Sequence, residues 1–182
     1  MFARTERLFL RPGWIEDAPE LARAIGHEAV VRNLGRAPWP YALGDAQTML
    51  ANVQPAHVPS FLILEVAPAR PARIVGGMGI GAYDDRPHEL GYWIAPDAWG
   101  RGYATEAGRA VLAIARALDI PQVTAGHYLD NPASGAVLRK LGFRPTGCVE
   151  QAFSRGRGEN VPCARYEISL GDMPEERTPM AA

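Results

Sequence analysis

Glu89-Leu90-Gly91-Tyr92-Trp93-Ile94, followed shortly by Trp99-Gly100-Arg101-Gly102-Tyr103-Ala104-Thr105, decides how this chain folds. The first stretch reads as a strand, stopped by Pro96. After the second, Ala107, Ala110, Val111, Ile114, Ala115 and Leu118 recur at the spacing of a single helical stripe. Val123–Tyr128 reads as the next strand, and a connection of this length allows a parallel crossover. The glycines sit where the helix begins. Unpaired N–H groups converge there, the helix dipole adds positive potential, and glycine lets an anion reach bare backbone. A GxxxxGK[ST] loop is absent, so the pyrophosphate of another carrier fits better than a Walker-type triphosphate. The plainer reading is a tight turn whose glycines serve packing alone.

Toward the N-terminus, Leu8-Phe9-Leu10-Arg11 reads as a strand ended by Pro12. Asp17 is expected to cap a helix running to about His27, and residues 33–44 read as a loop. A second helix is expected after Asp45 with Met49, Leu50 and Val53 inward. Phe61–Val66 and Ile74–Tyr83 read as strands around a turn at Ala67–Arg73, with Asp84–Pro87 turning into Glu89–Ile94. Successive hairpins make this half antiparallel. Toward the C-terminus, Asn131-Pro132-Ala133-Ser134 opens a helix ended by Gly142. Strands at about Thr146–Phe153 and Ala164–Leu170 flank the turn Arg155–Gly158, and the tail Asp172–Ala182 is expected to fray. The expected architecture is one mixed α/β domain over 1–182, core about 5–170.

Nineteen basic and 20 acidic residues leave a net charge of −1, which argues against a basic nucleic-acid domain and a polybasic membrane surface. No apolar stretch approaches the ~18 residues of a membrane span, and the start lacks a signal-peptide run. A reducing cytoplasm is the default for a chain with two cysteines, Cys148 and Cys163, that cannot form a four-ligand zinc set. His27, His57, His88 and His127 show no metal-ligand spacing, so no metal is expected. Gly77-Met78-Gly79-Ile80-Gly81-Ala82 matches a dinucleotide fingerprint, but a turn and a strand follow it where a helix is required. It reads as a strand closely approached by another backbone or a ligand.

Glu89, beside the glycine loop, is a candidate general base on an incoming nucleophile, directly or through water; the alternative is a solvated strand-end carboxylate. His88 is the neighbouring alternative, and alternation along a strand lets at most one of the two serve. Asn131 and Ser134 are either an N-cap pair or side chains given to a ligand lying between parallel strands.

The run from Glu89 to Ile94, with Trp99–Ala107, Asn131–Ser134 and Leu141-Gly142-Phe143, resembles the GNAT superfamily of acetyl-CoA-dependent N-acetyltransferases. Thr5–Arg11 resembles its RimJ/RimL-type branch, whose members acetylate N-terminal amines of ribosomal proteins, among other amines. The resemblance covers roughly Thr5 to Leu170. It implies a mostly antiparallel sheet with a V-shaped splay between two central parallel strands, placed after Ile94. It implies acetyl-CoA as co-substrate. The phosphate-loop motif Q/R-x-x-G-x-G/A falls on Trp99, Gly100, Arg101, Gly102, Tyr103 and Ala104, with Trp99 departing from Gln or Arg. Amides from Arg101 to Thr105 should hold the pyrophosphate. Tyr92, Trp93 and Ile94 should pair their backbone with the pantetheine arm, and Asn131 and Ser134 should line its far side. A second departure is Leu138, where many members carry a tyrosine as general acid; Ser134, water or Tyr128 is then the donor to the leaving thiolate.

The implied reaction is attack by a primary amine, foremost a protein N-terminal amine, in a ternary complex. Glu89 would act as base through water and the Ile94 N–H as oxyanion contact. A polyamine- or antibiotic-modifying enzyme, or a non-catalytic acetyl-CoA-binding module, is the alternative. Residues choosing the acceptor are expected in the first two helices, the Asn33–Gly44 loop and the hairpin around Arg155–Gly158. Trp39 and Tyr41 either wall that site or pack the loop. The resemblance leaves a homodimer open.

Overall fold

Apolar alternation places Leu8 and Leu10 on one strand and Phe61 and Ile63 on its neighbour, and these four side chains begin the core. In the computed structural model, which describes residues 1–52, 58–68 and 70–171, the elements run in order. They are β1 (Ala3–Arg4), β2 (Leu8–Arg11), α1 (Ala18–Ile25), α2 (Glu28–Val31), α3 (Leu43–Ala51), β3 (Ser60–Ala67), β4 (Arg70–Tyr83), β5 (Arg86–Ile94), α4 (Tyr103–Ala117), β6 (Gln122–Tyr128), α5 (Pro132–Lys140), β7 (Arg144–Ser154) and β8 (Glu159–Ser169). The eight strands form one sheet in the order β1-β2-β3-β4-β5-β6-β8-β7. Every neighbouring pair is antiparallel except β5 with β6.

Two apolar clusters cover the two faces of the sheet. Leu8, Ile63, Val75, Ile80 and Leu90 meet Val111 and Ala115 of α4 and Leu138 of α5. On the other face, Leu62, Leu64, Ile74 and Trp93 meet Leu21 and Ile25 of α1, Val30 of α2 and Ala46 of α3. The stripe expected on α4 is buried at Ala107, Val111 and Ala115, and Gly108 and Leu112 widen it.

The sequence expectations shift at several ends. Asp17 precedes α1 without capping it; its carboxylate instead accepts from the Trp14 N–H and pairs with Arg11. Helix α3 starts at Leu43, and Asp45 closes its first turn from inside by accepting the Ala42 N–H at 2.9 Å. Its buried residue is Ala46, whereas Met49 is exposed; Val53 lies outside the described residues, as do His57 and the tail from Asp172. The Ala67–Arg73 turn contracts because Arg70 pairs with Ala67 and Arg73 with Glu65. The dinucleotide-like run lies within β4, where the Trp93 indole covers Gly77: a Cβ there would stand 2.6 Å from Nε1. Strand β8 begins at Glu159, well before Ala164, because Val161 and Pro162 pair with Ala152 and Gln151 of β7.

Candidate active site

The parallel pairing of β5 with β6 consists of Glu89 with Thr124 and Leu90 with Ala125. Beyond Leu90 the strands part, so the splay opens before Tyr92 rather than after Ile94. The Ala95 N–H donates to the Val75 carbonyl at 2.9 Å, which makes Val75–Ala95 a hydrogen-bonded pair. The alternate pairs Gly76–Ile94 and Met78–Tyr92 are therefore non-hydrogen-bonded. The N–H and C=O of Tyr92 and Ile94 consequently point away from β4, into the gap left by β6. The Trp99 indole N–H takes the Ile94 carbonyl at 2.7 Å, and the Ile94 N–H still faces the gap.

The loop from Trp99 to Gly102 joins that gap to α4. Gly100 and Gly102 adopt φ values of 73° and 79°, a region costing other residues roughly 1–2 kcal/mol. Gly102 occupies the N-cap position with no side chain to satisfy the first-turn N–H groups of Tyr103, Ala104 and Thr105. A Cβ at Gly100 would meet nothing within 4 Å, so the cradle is open above the backbone, as an anion requires. The loop is braced from below. Tyr103 is buried and donates its hydroxyl to Glu65 at 2.5 Å, and Arg101 pairs with Glu65 at 2.7 Å. Arg7 pairs with Glu106 at 2.6 Å, and both guanidiniums lie 4.8 Å from the Tyr103 ring centroid.

On the far wall, Asn131 caps α5, its side-chain oxygen accepting the Ser134 N–H at 3.4 Å. Ser134 Oγ faces the gap 2.6 Å from Tyr92 Oη. Burial pushes the Tyr92 phenol up to about 12. Leu138 is fully buried in the core, so it presents nothing to the cleft. Tyr128 lines the cleft, but its hydroxyl is given to the Phe153 carbonyl at 3.4 Å.

These walls belong to one cleft of about 860 Å³ that continues past Glu89 toward α2. Leu90 packs on the α4–α5 face, so alternation sends the Glu89 and Gly91 side to the opposite face, together with Trp93. Glu89 lines the cleft; His88 does not. The Glu89 carboxylate pairs with Arg165 of β8, itself buried and within 3.5 Å of Glu150. Sequence reasoning missed Arg165, since one arginine in a late strand carries no local signal. The rim joins the segments expected to choose the acceptor. The Arg155 N–H donates to the Gly35 carbonyl at 3.0 Å, and Arg157 donates to the Arg32 carbonyl at 2.7 Å and to Asp130. Tyr41 packs against the α1–α3 cluster and Trp39 is exposed; neither lines the cleft.

Among the described residues no group of His, Cys, Asp and Glu is arranged to hold a metal ion. No helix is long and apolar enough to cross a membrane. Cys148 is exposed and Cys163 buried, and the two are not bonded.

This arrangement has relatives. The chain is 28% identical over 153 residues to the Uncharacterized N-acetyltransferase YoaA of Bacillus subtilis, covering 81% of this chain and 85% of that protein. Its fold matches a GNAT-family acetyltransferase of Bacillus anthracis with a TM-score of 0.79 at 21% identity, over 93% of this chain and 99% of that one. It also matches RimL, a ribosomal L7/L12 alpha-N-protein acetyltransferase in complex with coenzyme A. There the TM-score is 0.74 at 20% identity, over 93% and 98% of the two chains. Residues 7–144 match the acetyltransferase (GNAT) domain family, a span that contains the splayed strands, the glycine loop and the capped helix α5. The chain therefore belongs to the GNAT acetyltransferases and is an acyltransferase.

Proposed function

We propose that this acyltransferase moves the acetyl group of acetyl-CoA onto a protein N-terminal α-amine, of the kind RimL takes, by direct attack in a ternary complex. The observation that carries the choice of acceptor is the charge of the cleft. Among the described residues its only lining carboxylate is Glu89, already paired with Arg165. A polyamine or aminoglycoside needs several uncompensated carboxylates, and the described residues of the cleft do not offer them.

In this reading the amides from Arg101 to Thr105 hold the pyrophosphate, with Trp99, Gly100, Gly102, Tyr103 and Ala104 shaping the cradle. The outward main-chain groups of Tyr92 take the pantetheine arm as another strand would be taken, and the Ile94 N–H reaches the thioester end of the cofactor. Trp93 fixes that strand from behind, and Asn131 lines the far side. A protonated amine cannot attack, so Glu89 removes the proton through a water while Arg165 holds the carboxylate in place. The Ile94 N–H stabilises the oxygen that gains charge as the amine attacks. Ser134 donates its hydrogen bond to the departing sulfur, and Tyr92 supports Ser134.

Direct transfer is favoured over a covalent enzyme route through Cys163. Burial raises that thiol above its ordinary pKa, so little of the nucleophilic thiolate forms. The unbonded cysteines fit a reducing cytoplasm.

The test is an acetylation screen over N-terminal peptides, polyamines and aminoglycosides, read as free thiol. Peptide turnover with inert polycations supports the reading; turnover on polycations alone overturns it. Glu89→Gln is expected to lower kcat by about a hundredfold or more and to change the pH–rate profile while acetyl-CoA affinity stays. An unaltered profile removes Glu89 from the base role.

A further inference from the structure

Among the described residues, the acceptor half of the cleft holds one charge with no counterpart. Arg36 lines it and lies on the loop between α2 and α3. Its guanidinium stacks 4.3 Å above the Tyr83 ring centroid. Among the described residues its one hydrogen bond is a long one, 3.5 Å, to the Ala82 carbonyl. It makes no ion pair with any described carboxylate. Among the described residues, the other arginine lining the cleft, Arg165, is paired with Glu89, and nearby Arg86 and Arg157 are paired with Glu150 and Asp130. Asp84 and Asp85 belong to the β4–β5 turn and do not line the cleft.

The loop that carries Arg36 is fixed on two sides. Gly35 packs against the Tyr83 hydroxyl, leaving no room for a Cβ, and its carbonyl accepts the Arg155 N–H at 3.0 Å. Ser154, fully buried, reaches the Arg32 and Leu34 carbonyls at 3.4 Å and 3.5 Å. A stacked guanidinium on a fixed loop keeps its donor fork available at little entropic cost.

We infer that Arg36 reads a carboxylate on the acceptor, so that the preferred substrate is an N-terminal peptide with an acidic side chain near its amine. This rests on the proposed peptide function and deepens it. The register gives the spacing. Glu89 lies opposite Gly81, and Tyr83 lies two residues further along β4 on the same face. At about 3.3 Å per residue, Arg36 stands roughly 7 Å beyond the base, which an extended chain covers in about two residues. The carboxylate is therefore at the second or third position. On the other side of Glu89, toward Ile94, the floor is bare at Gly91, where a Cβ would meet nothing within 4 Å, so the amine end of the peptide has room to enter there.

The experiment compares kcat/KM for matched N-terminal peptides bearing Glu, Gln or Lys at positions two and three, on the wild type and on Arg36→Glu. A coenzyme A-induced rise in melting temperature confirms that the variant is folded. The wild type is expected to prefer the Glu peptide over the Lys peptide by about tenfold or more, and Arg36→Glu to reverse that order. An order that the variant leaves unchanged overturns the inference while leaving the peptide function standing. A further arm offers free glutamate and aspartate. Their acetylation, lost in Arg36→Glu and with every peptide inert, would overturn the peptide reading and keep the carboxylate contact.

Discussion

Tyr92 and Ser134 share a reciprocal contact across the mouth of the splay. The phenol donates to the Ser134 carbonyl at 3.0 Å, and the two side-chain oxygens are 2.6 Å apart. With the phenol proton on the carbonyl, the serine hydroxyl donates to Tyr92 Oη. For Ser134 to donate to a departing thiolate, the phenol must turn and replace that bond. Tyr92→Phe is thus expected to lower kcat by about fivefold with little change in acetyl-CoA KM, since a hydrogen bond worth about 1 kcal/mol is removed. In a double-mutant cycle with Ser134→Ala, the two effects should be non-additive. Steady-state kinetics checks this, and full kcat in Tyr92→Phe would detach Tyr92 from Ser134's role.

Burial holds the phenols of both Tyr41 and Tyr92 up to about 12. The ordinary value is about 10. Between these values the folded state keeps protons that the unfolded chain releases, so this stabilisation is intact below about pH 10 and is lost as pH rises toward 12. Denaturant unfolding at stepped alkaline pH should show that decline. The decline should be shallower in Tyr41→Phe, whose side chain is remote from the cleft.

Arg11 and Asp17 form a nearly buried, two-pronged pair, both contacts at 2.7 Å, with the Arg11 guanidinium 4.1 Å from the Trp14 ring centroid. The guanidinium holds the Asp17 carboxyl below the usual carboxylate range. Its contribution is present above about pH 4 and lost as pH falls through the depressed folded value. Asp17→Ala leaves a buried unpaired cation and should cost about 3 kcal/mol at neutral pH. Urea denaturation reads that loss, and the acid limb of the stability curve should flatten in the variant.

Gly91 faces open space on the floor of the cleft. Gly91→Val suits a strand and its Cβ meets nothing within 4 Å, so its stability should stay within about 0.5 kcal/mol of the parent. The added methyl groups occupy room needed by the acceptor. The kcat/KM for the acceptor should fall by about tenfold or more, with coenzyme A binding retained in calorimetry. An unchanged acceptor kcat/KM would place the acceptor elsewhere.

The parts of the site legible in the sequence are those built from neighbours along the chain. The glycine loop before α4 and the Asn131 cap on α5 each lie within a few residues, and local spacing specifies them. The parts that escaped depend on partners far apart. Tyr103 reaches Glu65 across 38 positions, and Arg165 reaches Glu89 across 76; periodicity carries no record of such meetings. On α3 the expected inward Leu50 does pack on the cluster, whereas Met49 stands in solvent because this short helix at the edge of a layer turns the small Ala46 fully inward. Strand β8 starts ahead of the expected Ala164 because Pro162, though it lacks a donor, keeps its acceptor. In the sheet its carbonyl still accepts the Leu129 N–H at 3.0 Å.

The pleat of β5 separates two kinds of information along one strand. Its main-chain groups at Tyr92 and Ile94 leave sideways into the splay, where any residue type offers the same N–H and C=O. Its side chains at Glu89 and Gly91 stand up from the sheet, where residue type is everything. A lineage can therefore rewrite its acceptor at these upright positions while the lateral edge stays chemically constant. One strand is at once a fixed socket and an editable one.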